Sequence, residues 1–146
     1  MFLGFDRHTL DSKNRLTVPA KYREELVTGG FVMKGFDNNL MVLTLQAFDV
    51  VSKRLNRMSL TNPKARLLRR RIFSSAERFE LDKVGRFLIP EYLRLSAGLD
   101  GEVVLNGAGD YFEIWAPELW AEEEHLTQDA GMNPELFDDL DLATSE

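Results

Sequence analysis

The chain has 146 residues, no cysteine, 44% hydrophobic residues and a formal net charge of −6. This length suits one domain or two small fused ones, long enough to bury a core without disulfides. The missing cysteines exclude a disulfide framework, thiol catalysis and every cysteine-based zinc site, and −6 taken as a total argues against nucleic acid, which rewards positive charge.

The total conceals an asymmetry. All 18 Lys and Arg lie within residues 1–94, where they outnumber the acids and leave a net +8, while residues 95–146 hold 14 acids and no base. A basic body with an acidic end is a cue for a nucleic-acid binder; acids that keep a chain end soluble are the plain alternative. The opening Met1-Phe2-Leu3-Gly4-Phe5-Asp6-Arg7 carries charge where a signal peptide needs an apolar run, and the longest stretch without Asp, Glu, Lys or Arg, Asn38 to Phe48, cannot span a bilayer. The expectation is a cytoplasmic protein without a membrane partner.

In chain order, Phe5 to Leu10 reads as a strand, Ser12-Lys13-Asn14 as a tight turn in which Asn tolerates a left-handed backbone, and Leu16 to Val18 as the return strand. Pro19 opens a short helix through Tyr22 to Leu26, and Gly29-Gly30 stops it. Phe31 to Lys34 and Leu40 to Leu45 are strands around Asp37-Asn38-Asn39. Thr44 is a candidate N-cap for a helix whose Phe48, Val51, Leu55 and Met58 share one face. Asn62-Pro63 starts a second helix through Phe73. The pattern then recurs: strand Arg78 to Leu81, turn Lys83-Val84-Gly85, strand Phe87 to Ile89, Pro90, helix Tyr92 to Leu95, and strands Glu102 to Leu105 and Tyr111 to Trp115. Pro117 opens a last helix containing Leu119 and Trp120.

This recurrence is a repeat. A shift of 71 residues superposes the first third on residues 72–119 without a gap. Leu10, Asp11, Arg15, Pro19 and Arg23 meet Leu81, Asp82, Arg86, Pro90 and Arg94; Gly30 meets Gly101 and Val32 meets Val103. One copy cannot easily close a core alone, so the two are expected to pair within the chain. The expected segments are 1–54 (first repeat and start of the connector helix), 55–74 (helical connector), 75–127 (second repeat and C-terminal helix) and 128–146 (an acidic, disordered tail).

Little suggests an enzyme. His8 and His125 have no companions at metal-ligand spacing, Gly107-x-Gly109 lacks the rest of a dinucleotide fingerprint, and no P-loop or nucleophile elbow occurs. No cofactor, metal or small-molecule substrate is expected. The repeated Asp-x-x-x-Arg is the feature with most chemistry. Asp11 and Asp82 can cap turn amides and pair with Arg15 and Arg86, with Asn14 and Gly85 supplying the positive φ. Arg has donors to spare for phosphate or base edges, and a two-stranded ribbon fits the major groove. Copy one gathers Arg7, Lys13, Arg15, Lys21 and Arg23 at net +4 over residues 7–23, and copy two only +1 over the matching residues 78–94. Lys64, Arg66, Arg69, Arg70 and Arg71 form a second basic group that reads more readily as a solvated or salt-bridged helix face than as a nucleic-acid site.

Leu10 to Pro19, repeated as Leu81 to Pro90, resembles the bacterial MraZ proteins over about residues 1–120, including Glu113-Ile114-Trp115 and Trp120. Asn14 stands where that family usually has Gly. The resemblance implies an α+β fold in which two tandem ββαββ-type repeats form an intrachain AbrB-like swapped-hairpin β-barrel with peripheral helices. It implies a nucleoid-associated, sequence-specific DNA-binding transcriptional regulator. The expected role is repression of the division and cell-wall gene cluster, including its own promoter, by a ring-like homo-oligomer on short repeats of double-stranded DNA. Arg15, Lys13, Arg7, Lys21 and Arg23 are the expected DNA contacts, with Arg86 a lesser one. An RNA-binding regulator and a ring-forming scaffold are the alternatives.

Overall fold

The computed structural model describes residues 1–140. Copy one supplies β1 (Phe5–Thr9), β2 (Arg15–Thr17), α1 (Ala20–Arg23, continued by one 3-10 turn to Leu26), β3 (Gly30–Lys34) and β4 (Leu40–Thr44). Two helices follow, α2 (Leu45–Arg57) and α3 (Pro63–Ser75). Copy two supplies β5 (Glu77–Phe79), β6 (Arg86–Leu88), α4 (Glu91–Ser96), β7 (Glu102–Gly107) and β8 (Tyr111–Trp115), and α5 (Pro117–Gly131) closes the regular structure. The expected caps form. Thr44 Oγ1 accepts from the Ala47 amide at 3.0 Å, and Asn62 Oδ1 accepts from the Lys64 amide at 2.9 Å. Each meets one of the amides that a helix start leaves unpaired.

The copies are interleaved. Six strands form one antiparallel sheet in the order β1-β7-β8-β4-β3-β5, and β2 pairs only with β6. Each copy's first strand therefore lies against the other copy's third: β1 on β7, and β5 on β3. The expected closed barrel does not form among the described residues. β2 and β6 are three residues long and use their pairing edges on each other, so β1 and β5 remain the sheet's edges.

The pairing also corrects the gapless repeat. His8 lies opposite Val103, whereas Phe79, its counterpart 71 residues on, lies opposite Gly30. The structural partner of Gly30 is thus Val103, not Gly101, and that of Val32 is Leu105. Copy two has two extra residues between helix and third strand, where Gly98 and Gly101 both take positive φ.

Alternation divides the sheet's apolar residues between two faces. Val32, Leu40, Val42, Val103, Leu105, Phe112 and Ile114 face the main core with Leu16, Leu26, Phe87, Ile89 and Leu93. At its centre Phe2, Tyr22 and Phe112 meet with ring centroids 5.0–5.2 Å apart. The other face carries Met33 and Leu43 under Leu55 of α2 and Ile72 of α3, and Val104 and Trp115 under Trp120 of α5. Of the segment 128–146 expected as a tail, α5 occupies the part through Gly131 and a 3-10 turn occupies Pro134–Phe137. Residues 131–140 are all exposed, and the expectation for 141–146 falls outside the described residues. No helix among the described residues is long and apolar enough to cross a membrane.

Candidate nucleic-acid interface

The two Asp-x-x-x-Arg turns are built alike. Asp11 Oδ1 accepts from the Lys13 and Arg15 amides, both at 2.9 Å, and its Oδ2 accepts from Arg15 Nε at 2.7 Å. Asp82 Oδ1 accepts from the Val84 and Arg86 amides at 3.1 and 2.9 Å, and its Oδ2 from Arg86 Nε at 2.8 Å. One carboxylate thus closes the backbone loop and holds the guanidinium. The chief consequence is electrostatic: the Arg15 amide, joined by its guanidinium and the Lys13 amide, outweighs desolvation and holds the Asp11 carboxyl below its ordinary value. The Arg86 amide does the same for Asp82.

Asn14 and Gly85 take φ of 60° and 83° in the two turns. Each is also bonded to the other copy: Val18 donates to the Gly85 carbonyl at 2.9 Å, and Ile89 to the Asn14 carbonyl at 3.1 Å. Gly85 has a steric reason besides. A Cβ there would come 2.5 Å from Nε of Arg23, which lies against it and donates through Nη2 to the Val18 carbonyl at 2.9 Å.

The β2–β6 register turns these loops into one surface. Arg15 lies opposite Leu88, Leu16 opposite Phe87, and Thr17 opposite Arg86. Leu16 and Phe87 point inward and are buried, so Arg15, Thr17, Arg86 and Leu88 share the outer face. The two arginines sit on its diagonal, about 7–8 Å apart at the backbone. Arg86 Nη1 lies 4.0 Å from Asp11 Oδ2, which links the copies across the ribbon. Only Nε of Arg15 and of Arg86 donates to a protein group among the described residues, so the terminal nitrogens are available to a ligand. The exposed Lys13 and Lys83 stand on the turns at the ribbon's two ends.

The other expected contacts are dispersed. Arg7 is exposed on β1, opposite Val104, on the sheet face that carries α5, and lines a hollow with Trp120 and Glu124. Asp6, one residue earlier, points to the opposite face, where it accepts from Lys21 Nζ at 2.6 Å and raises the pKa of that lysine. Arg23 is half-buried beneath the second turn. Arg15, Lys13 and Arg86 are thus brought together, and Arg7, Lys21 and Arg23 are not. Leu88, Thr17 and Lys83 complete the surface and were missed. Leu88 is 57% exposed, an apolar residue outside a motif whose alternation puts Phe87 inside. No group of three or more His, Cys, Asp or Glu among the described residues is placed to hold a metal.

These features define a class: a duplicated α+β protein whose halves exchange strands and join their second strands into one arginine-bearing ribbon. The chain belongs to the MraZ family; the family model described as "MraZ protein, putative antitoxin-like" matches residues 1–71 and again residues 72–134. The proteins named transcriptional regulator MraZ from Desulfitobacterium hafniense strain Y51 and from Finegoldia magna are 42% and 39% identical to it. Those matches span 89% and 96% of this chain, and 91% and 94% of the relatives. That of Clostridium acetobutylicum is 37% identical over 97% of this chain and all of its own length. The family is not one of enzymes.

Proposed function

We propose that the chain is a sequence-specific, double-stranded-DNA-binding transcriptional regulator that presents the outer face of the β2–β6 ribbon to the major groove. The observation that carries this reading is the pair of arginines, each oriented by its own aspartate through Nε, with no terminal nitrogen in a protein hydrogen bond among the described residues. That orientation costs little on binding, because the guanidinium is already held, and a planar fork can take guanine O6 and N7 together. A two-stranded ribbon entering the groove is an established mode of reading DNA. The relatives' printed name, transcriptional regulator, supports the same conclusion.

The finer parts come from the family resemblance: repression of the division and cell-wall gene cluster from a promoter that includes its own, action in the cytoplasm on the nucleoid, and a ring of like subunits on short DNA repeats. The charge supports the ring. The two turns and their strands, residues 11–18 and 82–89, sum to only +2. One such ribbon binds weakly, and several on one assembly gain from effective concentration on spaced repeats. The test is a titration of the chain with its own upstream duplex, a scrambled duplex and the matching RNA, at two salt concentrations. Preference for the upstream duplex, falling steeply with salt, is expected; equal binding of the duplexes or preference for RNA overturns the reading.

A further inference from the structure

Helix α3, the end of β3 and helix α4 enclose an open cleft of about 630 Å³ beyond the β5 edge of the sheet. Its charged residues are Lys34, Lys64, Arg70 and Arg71, with no acid among them, and its apolar surface is given by Leu67, 68% exposed, and Tyr92. Tyr92 is fixed by its hydroxyl, which lies 3.0 Å from the Ser75 carbonyl oxygen and 3.1 Å from Glu77 Oε1. Arg71 donates to the Gly35 carbonyl. Lys34, Lys64 and Arg70 form no ion pair among the described residues, which leaves the groove basic and partly apolar.

The complementary chemistry lies at the other end of the molecule. Residues 117–140 contain eight acids and no Lys or Arg. Glu122, Leu126 and Asp129 of α5 are exposed at i, i+4 and i+7, so they form one stripe. Leu136 and Leu140 follow it, 61% and 63% exposed among the described residues. An acidic stripe with protruding leucines matches a basic groove with an apolar floor.

The two surfaces do not meet within one chain: no residue of 117–140 lines the cleft. α5 packs over β7 next to the β1 edge, through Trp120 on Val104 and Trp115. The cleft lies beside β3 and β5 at the opposite edge. Five strand spacings separate the edges, about 24 Å. We infer that the cleft formed by Lys34, Lys64, Arg70 and Tyr92 receives the acidic C-terminal segment, Glu122 to Leu140, of a second copy of this chain. Because donor and acceptor patches differ, the contact is head-to-tail: every subunit offers one of each, and the contact propagates until rotation closes it into a ring. The inference rests on the self-assembly in the proposed function and names the surface that produces it.

The test uses the full chain and reads mass by light scattering after size exclusion at low salt. K64E/R70E inverts two of the cleft's four cations, and E122K/D129K inverts the two acids of the α5 stripe. All four positions are exposed, and circular dichroism checks that each variant folds. Each variant alone is expected to fall to monomer, and an equimolar mixture to regain the mass of the unmodified assembly, since the two acids introduced in one chain then face the two lysines introduced in the other. K64Q/R70Q, which removes two of the cleft's four positive charges, weakens assembly at least tenfold. If the unmodified chain is monomeric, the self-assembly reading fails and this contact fails with it. If the unmodified chain assembles and the variants do so equally, or the mixture fails to recover, only the assigned surface is wrong. A K64E/R70E variant that keeps its mass but loses affinity for duplex DNA makes the cleft a nucleic-acid site and overturns the inference.

Discussion

On helix α3, three arginines are turned back onto their own chain. Arg66 donates to the Leu60 carbonyl at 2.9 Å, Arg69 to that of Leu55 at 2.9 Å, and Arg71 to that of Gly35 at 3.1 Å through Nε. On the β2–β6 ribbon, the guanidinium groups of Arg15 and Arg86 hydrogen-bond within the described residues only through Nε, and Arg86 Nη1 adds an ion pair to Asp11 at 4.0 Å. Both regions look like basic patches in the sequence. A guanidinium that donates a terminal nitrogen to a backbone carbonyl is tied to the fold at that end; one oriented by a neighbouring carboxylate through Nε keeps its terminal nitrogens for a ligand. Arginine density therefore says less about binding than where each donor goes.

The largest expected effect tests whether the ribbon is a rigid platform. Phe87 fills its inner face, stacked on Phe79 at 4.0 Å. Phe87→Ala is expected to cost about 3 kcal/mol or more, by lost transfer energy and a cavity. Chemical denaturation measures this, and a loss under 1 kcal/mol means the ribbon is not anchored in the core.

Next, Arg15→Ala is expected to reduce specific duplex affinity at least tenfold, on the scale of about 1–3 kcal/mol for a bidentate base contact. Its effect on stability stays under about 1 kcal/mol, since the bridge to Asp11 is partly exposed. Wild-type affinity in the same titration refutes the assignment.

The two turns differ in a way that can be sharpened. Gly85→Ala is expected to destabilise by about 1–2 kcal/mol, because the backbone has φ +83° and the new Cβ meets Arg23. Asn14→Gly should change stability by only a few tenths of a kcal/mol, since both residues tolerate the left-handed region. Equal effects in thermal melts would contradict the steric role given to Arg23.

On α3, Arg69→Ala is expected to cost about 1 kcal/mol, through its bond to Leu55 and its place 5.8 Å from the Phe73 ring centroid. Arg70→Ala, with no such bond, should stay within about 0.5 kcal/mol. The reverse order in denaturation curves would undo the contrast between spent and available arginines.

The smallest effect concerns pH. Asp11 and Asp82 are both held below the ordinary carboxyl value of 3.8 in the folded chain. Their stabilisation is fully present above the unfolded value and is lost as pH falls through the lower folded one. NMR titration of both carboxyls should give midpoints under 3.8 and no change between pH 5 and 8. A midpoint above 3.8 for either would mean that its turn is not closed by the carboxylate.

Much of this was legible in the sequence because the deciding interactions are local. The Asp-x-x-x-Arg turn closes within five residues, and the Thr44 and Asn62 caps act within three. Asn in place of Gly at the same turn position betrays the positive φ. The site was legible only in part. Arg7, Lys21 and Arg23 are close to Arg15 in sequence, but strand alternation sends Arg7 to the α5 face, Asp6 claims Lys21, and Arg23 goes under Gly85. Leu88 and Lys83 belong to the surface only because β6 lies beside β2, a pairing across 71 residues that no local pattern encodes.

The sequence by itself determined the duplication, the turns, the caps and the separation of a basic body from an acidic end, since these follow from spacing and side-chain chemistry within a few residues. Tertiary structure decided which copy each strand joined, that the sheet stayed open, and which cations were consumed. Those outcomes depend on pairing and burial between segments far apart in the chain. An arginine is committed to the fold or left to a ligand according to the carbonyl or carboxylate that packing brings within reach.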